Sequence, residues 1–233
     1  MSKQTKLISI SGCGHSGTTL TATVLGVHDN LLLIPVETRM FLGGSYDIES
    51  FILNNSDKKF EMVIEKTPNH IYVIDRIKLL YPETKFIANI RDPRDIAASL
   101  YRRYSDWDMA INRLKKDLEY MKFFYDDLYI VKYEEIINDF ENTFKKISTY
   151  LGIEFDEKML KYYEYAPNWF GIESPEDTDG SDLNGMHESR RAWQVKQPLF
   201  DGSGRWKKEL NTYQLSDISK NVGSLSNFFG YSV

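Results

Sequence analysis

Residues 9–20, SISGCGHSGTTL, constrain this chain more than any other stretch. Glycines at 12, 14 and 17 follow directly on the apolar run Leu7-Ile8-Ser9-Ile10, and residues 18–27 then carry Leu20, Val24 and Leu25 on one side of a helix. A strand over about 6–11, a turn of small residues and a helix make a unit whose backbone N–H groups point into a concavity, where the helix dipole also favours negative charge. Phosphate or sulfate fits such a place. The phosphate-loop pattern G-x-x-x-x-G-K-[ST] is met at Gly12, Gly17 and Thr19, but Thr18 stands where its lysine belongs. That lysine holds the outer phosphates of a triphosphate, so its absence suits an anion with less terminal charge. Small residues can also serve only to bring helix and strand close, so other segments must decide.

Those segments repeat the same order. The run 31–34 ends at Pro35, and "EMVIE" at 61–65 reads as a strand; a helix follows from Pro68 to about Tyr81, with Thr67 as its N-cap. "KFIANI" at 85–90 leads through "RDPRD" into the helix "IAASLYRRY". A long apolar stripe over 106–126 (Ile111, Leu114, Leu118, Met121, Phe124) precedes the strand "LYIVKY" and the helix "FENTFKKISTYL". A short helix is expected near 156–165, and helical segments resume after "GRWKKEL". Strands alternating with helices predict an α/β protein with a phosphate-loop-like three-layer fold: a central parallel sheet, helices on both faces, and ligands beyond the carboxyl ends of the strands. With 233 residues, a single domain is expected, with a long acceptor-site or lid loop over 168–204, where Gly, Ser, Pro, Asp and Glu show no sustained periodicity.

Charge narrows the partners. The formal net charge of −5 gives no global field for nucleic acid, so an anion site must be local. No apolar run approaches membrane-spanning length, and the run after "MSKQTK" is too short for a signal-peptide core. Together with the single cysteine, Cys13, this predicts a cytoplasmic protein. Within so tight a loop, Cys13 is expected to be a small buried residue rather than a nucleophile. No H-x-x-x-H or C-x-x-C spacing points to a metal, and none is expected. His28 and His187 have no recognisable sequence partners, and His70 is expected on a helix as a packing or surface residue.

"IRDPRDIAASL" at 90–100 puts Arg91 at the end of a strand and Ser99 in the second turn of the next helix, so both can face one ligand. A guanidinium can fork onto phosphate and a hydroxyl can add a donor. The alternative for Arg91 and Arg94 is ion pairing with Asp92 and Asp95, and Arg94 is read as structural. Together, "HSGTT" at 15–19 and this segment resemble the sulfotransferase family. The resemblance implies that Gly14, His15, Ser16, Gly17, Thr18 and Thr19 hold the 5′-phosphosulfate of 3′-phosphoadenosine-5′-phosphosulfate as co-substrate. It implies further that Arg91 and Ser99 hold its 3′-phosphate. The family usually has Lys or Arg where this chain has His15, which carries full charge only when protonated. "VKYEEII" at 131–137 resembles the family's Tyr-Glu-Asp-Leu segment and implies that Tyr133 lies near the adenine. "GSGRWKKEL" at 202–210 resembles its terminal cofactor-binding turn, with Arg205 as the ligand.

Sulfuryl transfer needs donor and acceptor oxygens in line, a stabilised leaving oxygen and a group to take the acceptor's proton. Glu37, in "PVETRMF" after the second apolar run, should emerge at the same sheet edge as the loop. Its Glu-Thr-Arg triplet resembles protein-tyrosine sulfotransferases, which implies Glu37 as catalytic base with Arg39 assisting. Lys66 resembles the Lys-Thr-Pro of bacterial and heparan sulfotransferases; it would bind the sulfuryl oxygens or acceptor and replace charge lost at His15. Glu65 is the alternative base, although alternation along a strand turns it the other way. The function expected is sulfuryl transfer to a hydroxyl or amine of a saccharide, lipid, phenol or tyrosine peptide, with Trp169, Phe170 and Trp193 shaping the acceptor site. Oligomeric state is not readable in these motifs. Two other readings remain: a nucleotide or small-molecule kinase, for which Asp92 would have to hold Mg²⁺, and a nucleotide-binding module without catalysis.

Overall fold

Along the first strand, β1 (Lys6–Gly12), Ile8 and Ile10 face one way and Leu7 the other, and all three are fully buried. A strand apolar on both sides must be covered on both. The structure, a computed structural model that describes residues 6–173 and 186–233, shows how. After β1 come α1 (Thr18–Leu25), β2 (Leu31–Leu33), α2 (Ile48–Leu53), β3 (Met62–Lys66), α3 (Ile74–Leu80), β4 (Lys85–Ile90) and α4 (Pro93–Tyr104). Then follow α5 (Trp107–Phe123), β5 (Tyr129–Lys132), α6 (Tyr133–Asn138), α7 (Phe140–Leu151), α8 (Tyr162–Tyr165), α9 (His187–Gln194), α10 (Trp206–Glu209) and α11 (Thr212–Phe228). The strands form one parallel sheet in the order β2-β3-β1-β4-β5.

Two cores result, one on each face. Ile8, Ile10, Ile64 and Ile87 pack under α1, α7 and α9; Leu7, Val63, Ala88 and Ile90 pack under α3, α4, α5 and α11. Each fully buried Ile or Leu contributes about 1.5–3 kcal/mol, so both layers are held by the strands' alternation. The expected three-layer arrangement is therefore present. Because α1 and α4 cover opposite faces, the loops leaving β1 and β4 part from one another and open a crevice at the carboxyl ends of these adjacent strands.

Three segments differ from expectation. Residues 67–81 are not one helix but a 3₁₀ segment, Pro68–Val73, followed by α3. Pro68 does begin it, but the Thr67 hydroxyl donates to Glu65 Oε1 at 2.6 Å instead of capping, because a buried carboxylate needs the donor more than a helix end does. The region 156–165 divides between a 3₁₀ segment, Glu157–Lys161, and α8. Finally, the segment read as a loop over 168–204 contains a turn at Trp169–Gly171 and the helix α9, while 174–185 lie outside the described residues. Apolar periodicity could not reveal α9, since Ala192 is its one buried residue and most of the helix is charged or polar. Among the described residues, no helix is long and apolar enough to cross a membrane.

Candidate active site

The loop after β1 is fixed from behind. Gly12 has φ +115°, and a Cβ there would lie 2.4 Å from the Asn89 carbonyl oxygen, so the chain turns in backbone contact with β4. Cys13 N donates to that oxygen at 3.1 Å, and Ser16 Oγ lies 2.5 Å from Cys13 O and 2.9 Å from Asn89 O. Gly14 N donates to Asp117 Oδ2 at 3.0 Å, while Arg113 Nε at 2.8 Å and the Tyr72 hydroxyl occupy Oδ1. Helix α5 thus clamps the loop's rear, using a carboxylate 103 residues away that no local pattern could announce. The Cys13 thiol is buried against Met121 Sδ at 3.5 Å, and burial pushes its pKa up, which suits packing rather than nucleophilic work.

The front of the loop faces a cavity of about 850 Å³. His15, Gly17, Thr18 and Thr19 line it with Arg91, Ser99, Tyr133 and Arg205. Gly14 and Ser16, expected as ligands, are outside that lining because the amide of one and the hydroxyl of the other are spent within the scaffold. Six arginines line the cavity (Arg91, Arg102, Arg103, Arg190, Arg191 and Arg205), and among the described residues no carboxylate does. Leu20, Tyr162, Val195, Leu199 and Phe200 add apolar wall. The combination suits a polyanion that carries a flat apolar group.

At the second anion position, His15 Nδ1 and Ser99 Oγ are 2.8 Å apart, joining the loop to α4. Arg91 extends from the end of β4 with its guanidinium 4.4 Å from the Tyr133 ring centre, hydrogen bonds to the Gly202 carbonyl and stands 3.2 Å from Asp95. Among the described residues its buried Nε has no hydrogen-bond partner. Gly202 N donates to the Tyr133 hydroxyl at 3.2 Å, and Asp95 accepts Gly204 N at 2.8 Å and Trp206 N at 3.1 Å. Asp95, Arg91 and Tyr133 together hold the 202–206 turn beside the cavity. The Asp92 carboxylate is occupied by Arg94, whose Nη2 donates at 2.7 Å, and Arg94 stacks 4.1 Å from the Trp206 ring. Such a carboxylate does not favour the kinase reading.

Beyond β2 and β3 lies a second cluster. Glu37 Oε1 accepts Lys66 Nζ at 2.7 Å and Arg191 Nη1 at 2.6 Å. Burial alone would raise the Glu37 pKa, but Lys66 and Arg191 outweigh it and bring it down to about 2. Lys66 has no exposed surface; burial lowers its pKa to about 8 even though Glu37 pulls the other way. The ammonium sits 4.8 Å from the Trp169 ring centre. Trp169, expected at the acceptor site, is instead a buried wall beneath Lys66, with its indole N–H donating to Thr23 Oγ1 at 2.9 Å. Arg39 is exposed at φ +52°, and the guanidinium paired with Glu37 belongs to Arg191.

Glu65 turns to the opposite face, as alternation requires. There Thr38, Thr67 and His70 Nδ1 hold it at 2.8, 2.6 and 2.7 Å, all buried. His70 is thus a packed residue, and His28 is another, accepting Asn30 N at 3.0 Å through Nδ1. His187 is different: its ring centroid lies 5.6 Å from that of His15 in the cavity. Burial, Arg191 and Arg103 lower its pKa to about 3. His15 is lowered as well, by burial first and then by Arg191, His187 and Arg103, so both rings are neutral at pH 7. The Arg91–Asp95 ion pair is the alternative that the sequence itself raises. Arg191, the place of His187 in the cavity and the hold of Asp95 on the 204–206 amides are what sequence reasoning misses, and "HESRRAWQ" offers only its clustered basic residues as a signal.

The model of the "Sulfotransferase family" matches residues 36–157, just over half of the chain. A Caenorhabditis briggsae protein named "Putative protein-tyrosine sulfotransferase" is 25% identical over 195 residues, 68% of this chain and 70% of that protein. Among solved structures, the sulfotransferase domain from the curacin biosynthetic pathway has a TM-score of 0.67 at 14% identity, covering 99% of both chains. The sulfotransferase domain of the Synechococcus olefin synthase gives 0.60 at 16% identity, covering 100% of this chain and 98% of that one. A mouse sulfotransferase complexed with PAP gives 0.63 at 16% identity over 97% of this chain and 84% of that chain. At these identities the structures share the fold.

Proposed function

Since this chain belongs to the sulfotransferase family, we propose that its sulfuryl donor is 3′-phosphoadenosine-5′-phosphosulfate and that Glu37 is the base that deprotonates the acceptor. The observation carrying this reading is the joining of two anion positions in one cavity. The loop front at His15, Gly17, Thr18 and Thr19 meets Arg91 and Ser99 across the His15–Ser99 hydrogen bond. One position suits the phosphosulfate and the other a 3′-phosphate, with the Tyr133 ring between Arg91 and Gly17 for the base. The bound PAP named for the mouse relative supports the same donor.

In this account Thr18, Thr19 and the loop amides orient the sulfuryl group, Arg91 and Ser99 fix the nucleotide's far end, and Arg205 closes over it from the 202–206 turn. Glu37 takes the acceptor proton. Lys66 holds that carboxylate in place and adds positive charge beside the transferring group. The acceptor carries a hydroxyl or amine. A tyrosine peptide is the reading that the nematode relative supports. We place the protein in the cytoplasm on the strength of its one buried cysteine.

The test is transfer of labelled sulfate from the phosphosulfate donor to a panel of tyrosine peptide, phenol, saccharide and lipid acceptors. Product from the wild type that falls by about 10²–10⁴ in Glu37→Gln supports the reading. Nucleotide binding with no product from any acceptor would favour the non-catalytic module instead.

A further inference from the structure

Helix α9 turns His187, Arg190, Arg191 and Gln194 to the cavity, positions i, i+3, i+4 and i+7 of one helical face. Arg191 also reaches beyond it, to Glu37, a carboxylate 154 residues away that is not part of the cavity lining. It is the side chain that joins the anion cavity to the base. On the cavity side stands His15, at the loop position that lacks a fixed cation; Arg191 lines the same cavity, on the helix whose His187 ring centroid lies 5.6 Å from that of His15. Lys66 also pairs with Glu37, but it is fully buried and lies outside the cavity lining, so its charge acts from behind Glu37 and not from the loop side.

We propose that Arg191 is the catalytic cation of the leaving phosphate: it exchanges Glu37 for that phosphate when the cavity is filled, and the same exchange releases Glu37 to act as base. This rests on the sulfuryl-transfer reading above. The acceptor oxygen bonds to sulfur as the bond from sulfur to the bridging phosphate oxygen breaks. The electron pair of the broken bond stays on the phosphate oxygen, where Arg191 meets the new charge, and the acceptor proton passes to Glu37. Arg191 itself remains protonated throughout. The exchange answers a difficulty in the resting site, where a carboxylate with a pKa of about 2 is a poor base. Among the described residues, the charged and titratable groups facing Glu37 are Lys66 from β3 and Arg191 and His187 from α9, so removing Arg191 leaves one full cation of these beside it.

The probe is 3′-phosphoadenosine-5′-phosphate, which has the terminal phosphate of the departing product. The side-chain carboxyl carbon of Glu37, assigned by its loss in Glu37→Gln, is titrated by nuclear magnetic resonance with and without the nucleotide. The expected result is a pKa rise of about one unit or more on binding in the wild type and a clearly smaller one in Arg191→Gln, where only the phosphate's own charge acts on Glu37. In parallel, release of the nucleotide from the phosphosulfate with water as acceptor should slow by about 10²–10³ in Arg191→Gln. Adding His15→Lys should then restore about tenfold or more, because the cation is back on the loop. If Arg191→Gln does not fold, Arg191→Met, which keeps the length of the side chain without its charge, takes its place, and His15→Lys must still speed it. Nucleotide binding that leaves Glu37 unmoved, or a double variant no faster than the single one, overturns the inference alone. A wild type that neither binds the nucleotide nor releases it from the phosphosulfate overturns the function proposed above and this inference with it.

Discussion

Glu37 and Glu65 make the most instructive pair in the molecule. Both carboxylates sit at the carboxyl end of the β2–β3 half of the sheet, and Lys66, next to Glu65, belongs to Glu37. Alternation along β3 separates their fates. Glu65 turns toward the α3 and α5 face, where two threonine hydroxyls and His70 close it off completely. Glu37 meets two full cations, keeps about a quarter of its side chain exposed and stands one side chain from the anion cavity. A buried carboxylate ringed by donors holds a fold together; one paired with two cations beside a cavity is placed to meet what the cavity binds.

Substitution should separate the two roles. The largest effect is expected from Glu37→Gln, with sulfuryl transfer down by about 10²–10⁴ while the folded protein still binds nucleotide; steady-state transfer and calorimetric binding together check it. If Glu37→Gln turned over normally and Glu65→Gln did not, the assignment would have to be exchanged. Next comes Glu65→Ala, which leaves Thr38, Thr67 and His70 without their acceptor. A loss of about 3 kcal/mol, or roughly 6–12 °C in the melting temperature, is expected with transfer rates at low temperature within a few-fold of wild type.

The pH dependence sharpens the same contrast through Lys66. Its pKa of about 8 lies below that of the unfolded chain, so transfer should decline as pH rises through about 8 and the ammonium is lost. Stability should move the other way. Between about 8 and the ordinary lysine value the unfolded chain binds the extra proton, so this group's contribution to stability rises with pH. Glu37, with its pKa depressed to about 2, contributes stability above the ordinary carboxylate value and loses it as pH falls through about 2. Rate and melting profiles over the same buffers test both signs. The smallest effect is that of Trp169→Phe, which keeps a ring beneath Lys66 but drops the indole bond to Thr23. It should cost about 1 kcal/mol, roughly 2–4 °C, read by thermal denaturation.

The parts of this molecule legible in its sequence are those whose signal is local. The strand, glycine turn and helix at 6–25, and the strand, Arg91 and helix at 85–104, follow from periodicity and from residues a few positions apart. Alternation alone predicts that Glu65 turns away from Lys66. The inner parts of the site were not legible, because they are tertiary pairings. Asp117 behind Gly14, Asp95 beneath Trp206 N and Arg191 on Glu37 join residues more than one hundred positions apart. Helix α9 hides for a related reason, since the face it turns inward is cationic and lines a cavity. Trp169 shows the converse error, as an aromatic residue beside glycine and asparagine can pass for binding surface when it is core.

The central claim is that one cavity binds a 3′-phosphorylated adenosine nucleotide through the loop and Arg91 together. It is tested most directly by calorimetric titration with 3′-phosphoadenosine-5′-phosphate and with ATP plus Mg²⁺, repeated on Arg91→Ala. The account predicts selective binding of the 3′-phosphorylated nucleotide, weakened by about tenfold or more in the variant. Preference for the magnesium complex of ATP, or binding indifferent to Arg91, would contradict it.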